Sequence, residues 1–305
     1  MATACLAMGL LILVAKGTSQ VKPEVDKAHA ERVWTGAQIS EIGMGLGIFS
    51  ESCRRLPYPV RRAPYPKGLE QDVIAPNGKG RPLHSWRVET LWVIWDLGWK
   101  GPCDDTQPWD SPGNRATLGL SDCYSYVEAK DWVGDGKLFP DTNILAITGP
   151  GTAFGYDGGD LPKQLNKIPP STIIAVEVRA SGIPWPAPGD FDIRTMPQTI
   201  CAPDGKGISS RLPRGFFVIF ADTGTWFLSD KTPFETLKQL FTIEGAKKND
   251  REKLLGPYVI ERGPYSAEFG LIFGNKRVEQ GQAWNKRGLE EWEKEQKKAK
   301  KGKKP

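Results

Sequence analysis

Gly215-Phe216-Phe217-Val218-Ile219-Phe220-Ala221-Asp222-Thr223-Gly224-Thr225-Trp226-Phe227-Leu228-Ser229 reads as two short apolar runs around a turn. Aromatic and β-branched residues fill both runs, and Asp222-Thr223-Gly224 supplies the polar, glycine-containing reversal of a tight hairpin, with Gly224 expected at positive φ. Asn143 to Thr148 and Ser171 to Arg179 are runs of the same kind. In the second, Ile174, Val176 and Val178 alternate with Ala175, Glu177 and Arg179, the pattern of an antiparallel strand with one dry and one wet face. Tyr258 to Arg262 and Phe269 to Phe273 predict a further hairpin.

Helical spacing flanks these strands. From Pro23 to about Arg54, the residues Ile39, Ile42, Leu46, Phe49 and Cys53 step by three and four, which puts one apolar stripe on one helix face. Gly36, Gly43, Gly45 and Gly47 lie inside that helix, where each costs about 1 kcal/mol relative to alanine, so close packing against another layer is expected to compensate. Pro57, Pro59, Pro64 and Pro66 read as a linker. After it, Val88, Leu91, Trp92, Trp95 and Trp99 mark an amphipathic helix with Ser85 as its N-cap. Thr232-Pro233-Phe234-Glu235 has the form of a capping box, and Leu237, Leu240 and Phe241 give the helix beyond it a buried face. Ala75-Pro76-Asn77-Gly78-Lys79-Gly80 and Ala202-Pro203-Asp204-Gly205-Lys206-Gly207 predict turns.

The chain has 305 residues, 39% of them hydrophobic, with 34 Gly and 25 Pro. That composition belongs to a loop-rich globular protein and excludes a collagenous or polytopic membrane chain. The formal net charge is +5, and Lys286 to Pro305 alone holds nine basic residues against four acidic ones, so the rest of the chain is neutral. A neutral body lacks the basic footprint of a specific nucleic-acid binder, and the tail reads as a solvated end or a weak contact for an anionic polymer. Met1 to Ala15 carries no charge and, as a helix, would extend about 22 Å, which suits an export signal or a membrane-dipping anchor rather than a span.

Chemistry-bearing patterns are sparse. His29 and His84 are the two histidines, no G-x-S-x-G elbow or phosphate-binding loop occurs, and no cysteines are spaced C-x-x-C. No enzymatic activity, cofactor or metal is therefore expected. Cys53, Cys103, Cys123 and Cys201 allow up to two disulfides in an oxidising compartment, or isolated thiols. The acidic pairs Asp104-Asp105, Asp131 with Asp135 and Asp157 with Asp160 read as solvated loop acids. Trp109-Asp110-Ser111-Pro112 predicts a fixed turn, with Trp109 anchoring the loop and Asp110 bonding nearby amides. Gly149-Pro150-Gly151-Thr152 predicts a turn after a strand.

Taken together, Ile42-Gly43-Met44-Gly45-Leu46, Arg55-Leu56-Pro57, Pro82-Leu83-His84-Ser85-Trp86-Arg87-Val88, Pro108-Trp109-Asp110-Ser111-Pro112-Gly113-Asn114, Gly149-Pro150-Gly151-Thr152-Ala153-Phe154, Val176-Glu177-Val178, Pro184-Trp185 and Phe220-Ala221-Asp222 form an ordered series over roughly residues 32 to 245. The series resembles the planctomycete family called domain of unknown function 1559, exported proteins regarded as pilin-like. A Gly-Phe-Thr-Leu-Ile-Glu processing site is missing here, and Leu212-Pro213-Arg214-Gly215 stands where that family tends to carry His-Pro-Gly-Gly. The resemblance implies a pilin-like α+β fold, with a long N-terminal helix packed on an antiparallel sheet that carries long loops. Its parts are an apolar leader over 1–20, the helix over 21–56, a loop-rich domain over 57–245 and a C-terminal extension over 246–305. The implied role is non-enzymatic, structural or interactive, in an exported protein at the membrane or cell surface, with a homo-oligomer or pilin-like assembly as partner. Trp109, Asp110, Pro112, Gly149, Pro150, Gly151, Thr152, Asp222 and Gly224 are the candidate motif residues. The alternative is an exported carbohydrate- or ligand-binding module that exposes Trp86, Trp92, Trp95, Trp99, Trp109 and Trp185, although helical spacing favours packing the rings of Trp92, Trp95 and Trp99 inward.

Overall fold

All six residues of Gly215–Phe220 are buried, on both faces of the sheet they belong to, and that sets the layering. The computed structural model describes residues 26–62, 82–94, 103–104, 106–119, 126–127, 139–155 and 162–265. Within them the strands are β1 (Val60–Arg62), β2 (Pro82–Ser85), β3 (Ile144–Thr148), β4 (Ile173–Glu177), β5 (Phe191–Asp192), β6 (Gly215–Phe220), β7 (Thr225–Ser229) and β8 (Val259–Arg262). β1 and β2 pair by themselves, and the others form a six-stranded sheet in the order β5-β3-β4-β6-β7-β8. Neighbours are antiparallel except β3 and β5, which run parallel through Ile147 opposite Phe191. The fold is thus α+β, but its sheet is mixed rather than wholly antiparallel.

The four main strands lie where the apolar runs place them, and β6 and β7 form the expected hairpin, with Phe217 opposite Phe227. The wet face expected of the second run is absent, because every residue of β4 is buried. A register shift between Ile173 and Ala175 breaks the alternation and sends Ile174 and Ala175 to the same side. Glu177 lies fully buried at the end of the strand, where it accepts hydrogen bonds from the Ser210 hydroxyl at 2.7 Å and the Phe217 amide at 3.0 Å. Those bonds offset the cost of removing a carboxylate from water.

One face of the sheet packs on α1 (Lys27–Cys53) and α2 (Trp86–Ile94), with Ile42, Leu46, Trp86, Phe217, Ile219 and Phe227 in one core. The other face is closed by three short helices, α4 (Phe234–Lys238), α5 (Ile243–Lys248) and α6 (Arg251–Leu255), whose Leu237, Leu240, Phe241 and Leu255 meet Phe216, Val218 and Leu228. Because α5 spans residue 245 and β8 extends the sheet beyond it, chain past the expected 245/246 boundary is part of the body. The predicted partner run Phe269 to Phe273 lies outside the described residues, as do the leader and the tail.

α1 starts at its N-cap Asp26, whose carboxylate accepts from the Ala28 amide, and it buries Ile39, Ile42, Leu46 and Phe49. Cys53, assigned to that stripe, is exposed instead. A Cβ at Gly43 would lie 3.0 Å from the Thr223 carbonyl oxygen and one at Gly36 would lie 2.6–2.8 Å from the Tyr265 ring, so both glycines serve close approach, as the sequence implied. Pro57 and Pro59 are buried, so this part of the supposed linker belongs to the body. Thr232 does not cap the next helix. Its hydroxyl donates to the Ser229 carbonyl, while Thr242 and Asp250 cap α5 and α6 with their side chains.

Gly36→Ala tests the close approach. The helix preference of alanine is worth about 1 kcal/mol, and overpacking costs about 1–3 kcal/mol. With Tyr265 buried and unable to retreat freely, we expect a net loss of about 1–2 kcal/mol in denaturant unfolding; an unchanged or raised midpoint would show that the ring moves aside.

Candidate functional site

The motif residues occupy three separate places. Ser111 accepts from the Asn114 amide at the start of α3 (Pro112–Gly119), with Pro112 as its first residue. The Trp109 amide donates to the Leu83 carbonyl, and its ring meets Phe139 edge-on with centroids 5.5 Å apart, so Trp109 anchors the loop as expected. Asp110 does not perform the expected bonding. It is exposed, and the buried Asn114 holds the loop instead, donating to the carbonyls of Asp104, Gln107 and Pro108 and accepting from the Asp104 amide.

Gly149-Pro150-Gly151-Thr152 forms the turn after β3. The buried Thr152 hydroxyl donates to the Gly149 carbonyl at 2.9 Å, and the Gly151 carbonyl accepts from the Ile243 amide at the first residue of α5. Asp222 closes the β6–β7 hairpin, accepting from the Gly224 amide at 3.0 Å and pairing with Arg251 at 2.6 Å. Arg251 in turn lies over the rings of Phe220 and Trp226, at 4.7 and 4.9 Å from their centroids. The positive φ expected at Gly224 falls on Thr223, at 66°. Thr223 is the residue pressed against Gly43 and Gly47 of α1, so packing against the helix fixes the turn's geometry.

Sequence reasoning missed a buried, heavily bonded polar group, although the pattern Ile183-Pro184-Trp185-Pro186-Ala187-Pro188-Gly189-Asp190 contains its signal. Proline contributes no N–H, so a loop this rich in proline has more carbonyls than donors and needs an outside supply. Arg87, on the first turn of α2, provides it. Its Nε donates to the Trp185 carbonyl at 2.8 Å, and one terminal nitrogen donates to the Ala187 and Gly189 carbonyls at 2.9 and 3.1 Å. The other meets Asp190 at 3.1 Å. The same Asp190 oxygen accepts from the Trp86 indole at 2.9 Å and the Ala146 amide at 2.8 Å. The two side chains are 0% and 3% exposed. Burial pushes the Asp190 carboxyl above the usual carboxylate range, while the Arg87 charge and the surrounding donors pull it back. The arrangement is a buried clamp that ties the proline loop to α2 and β3.

Trp86 and Trp185 are fully buried, and Trp86 meets Tyr126 and Phe154 edge-on or tilted. They are core residues and are withdrawn from the sugar-stacking set; the Trp92 side chain, Trp95 and Trp99 lie outside the described residues. Asp104 turns back on the Thr106 amide and hydroxyl, which hold its carboxyl below the usual range, and no cluster able to hold a metal occurs among the described residues. Burial pushes the Cys201 thiol up, away from the reactive thiolate. Cys53 and Cys201 are not bridged, and Cys123 lies outside the described residues.

A groove of about 380 Å³ runs between α1, the turn at Leu165–Lys167 and the hairpin tip; Gly47, Glu51, Ile168, Pro170, Asp222 and Thr223 are among its walls. Asp222 and Thr223 of the hairpin tip face this groove. The chain matches no protein-family model, no curated protein and no solved structure.

Two outcomes follow from these contacts. Asp190→Ala leaves Arg87 buried without its counter-charge and should cost about 3–5 kcal/mol. In a double-mutant cycle with Arg87→Met, denaturant unfolding should show a coupling of about 1–3 kcal/mol, and additive losses would mean that the carbonyl bonds alone hold the loop. Thr223→Asn keeps a polar side chain while easing a β-branched residue at positive φ, so the melting temperature should rise by the equivalent of about 0.5–1 kcal/mol; a fall would show that the methyl contact with Gly47 outweighs the strain.

Proposed function

We propose that this protein is an exported, non-enzymatic, pilin-like protein held at the membrane or cell surface, a member of the planctomycete family it resembles, whose role is structural or interactive. The observation that carries the reading is α1. This helix of 27 residues, about 40 Å long, lies across β6 and β7 by means of its glycines and follows the apolar stretch Met1 to Ala15 in the sequence. A long helix laid on one face of a sheet, with an apolar stretch preceding it, can place a folded body next to a membrane or against copies of itself in an assembly. Two motif residues support the same reading, because Trp109 ties its loop to Leu83 and Phe139 and Asp222 ties the hairpin tip to Arg251 of α6.

Fractionation of cells producing the full chain, with mass spectrometry of its N-terminus, tests the proposal. The full chain should be found in the envelope or outside the cytoplasm, and a version starting at Val21 should remain soluble in the cytoplasm. Full chain recovered uncleaved and soluble without detergent, in the same fraction as the shortened version, overturns it.

A further inference from the structure

Ser50 is 1% exposed on α1 and forms part of the wall of the 380 Å³ groove, together with Glu51, Asn166, Ile168, Pro170 and Asp222. Its hydroxyl oxygen accepts from the Leu165 amide at 2.8 Å, and among the described residues its proton has no acceptor. A buried O–H in that state costs free energy, which an acceptor in the groove relieves. The carboxylates have the opposite need. Asp222 is held in place by the Gly224 amide and Arg251, and Glu51, exposed on the α1 side, makes no hydrogen bond or ion pair among the described residues, so both have lone pairs to spare for donors in the groove. Ile168 and Pro170 add apolar surface to the same walls.

We propose that the groove binds a neutral polyhydroxylated ring of the class of a single sugar residue. Other ligand classes fail on the same contacts. An ammonium or guanidinium carries no acceptor for the Ser50 proton, and the groove holds no surplus of negative charge to attract one, because Arg251 pairs with Asp222 and Arg54 and Arg55 follow Glu51 in the chain. An anion would meet two carboxylates. A wholly apolar group would strip water from Ser50, Glu51 and Asp222 and give them no partner. A ring with hydroxyls on neighbouring carbons accepts from Ser50 and donates to the carboxylates, while its C–H face lies on Ile168 and Pro170. The volume is at the small end of the range of small-molecule sites, about 300–1,000 Å³, which fits one ring rather than a long chain. Every contact lies within the folded body, so the site is independent of where the chain resides.

Saturation-transfer-difference NMR of the full chain, with methyl α-D-glucopyranoside as the probe, tests the site. A ligand of this size should bind with a dissociation constant of about 1 mM, and the transfer should saturate accordingly. Glu51→Ala changes an exposed position and should leave the melting temperature in place while weakening binding about three- to tenfold, through the loss of its hydrogen bonds. Ser50→Ala should weaken binding as much, with its melting temperature reporting separately on the lost contact with the Leu165 amide. Three outcomes overturn the proposal: no saturable transfer, binding unchanged in Glu51→Ala or in folded Ser50→Ala, or displacement of the glucoside by an equal concentration of n-butylamine. The second would place the probe elsewhere on the surface, and the third would make the groove a cation site.

Discussion

Arg87 answers a need created by the sequence around it. Pro184, Pro186 and Pro188 bring the chain from the end of β4 back toward β5 while contributing no N–H donors, and the carbonyls of Trp185, Ala187 and Gly189 between and beyond them turn inward. Their hydrogen bonds have to come from elsewhere, and a guanidinium offers five donors in a fixed plane. Once Arg87 is buried its charge needs a partner, which Asp190 supplies, and Asp190 then needs the Trp86 indole and the Ala146 amide. The start of α2, the proline loop and the edge of the sheet are fixed relative to each other by this sequence of requirements. The second Asp190 carboxylate oxygen has no hydrogen-bond partner among the described residues, so the clamp is held chiefly through one oxygen.

The layers on either side of the sheet follow from a different economy. β3, β4 and β6 are buried on both faces, which a sheet tolerates only when each face is covered. α1 covers one face in a single long piece, and its glycines let backbone approach backbone near Thr223. The other face is covered in three short pieces, each started by its own loop and two of them capped by side chains of Thr242 and Asp250. Where α6 meets the hairpin, Arg251 combines an ion pair with Asp222 and ring contacts with Phe220 and Trp226, and Arg262 also lies over Trp226, at 4.7 Å from its centroid. The hairpin tip is thereby gripped from both layers, by α1 at Thr223 and by α6 at Asp222.

That grip bears on the role we propose. Among the motif residues, Trp109 and Asp222 go into holding elements together. No helix among the described residues is long and apolar enough to cross a membrane. The envelope reading therefore rests on the stretch ahead of α1, while the body offers a rigid platform on which α1 is one wall.

Local pattern by itself determined the α1 stripe from Ile39 to Phe49, the four main strands, the β6–β7 reversal and the cap at Ser85, because each depends on neighbours within a turn or a hairpin and local spacing reports local geometry. Tertiary structure decided the rest. Alternation in Ser171 to Arg179 suggested a wet face, but the register shift turns Ala175 into the α1 core and the Ser210 loop covers Glu177, and both α1 and that loop lie far away in sequence. Gly224 was the natural residue for positive φ, yet pressure from α1 put that conformation on Thr223. Asp110 and Asn114 can both accept from loop amides, but the carbonyls of Asp104, Gln107 and Pro108 turn inward and need a donor, which only the amide of Asn114 supplies. The Arg87 clamp was the least legible of all, since it joins α2 to residues about a hundred positions onward, and a lone arginine in an amphipathic helix ordinarily faces solvent; only the donor deficit of the proline loop, brought against it by the fold, drew it into the core.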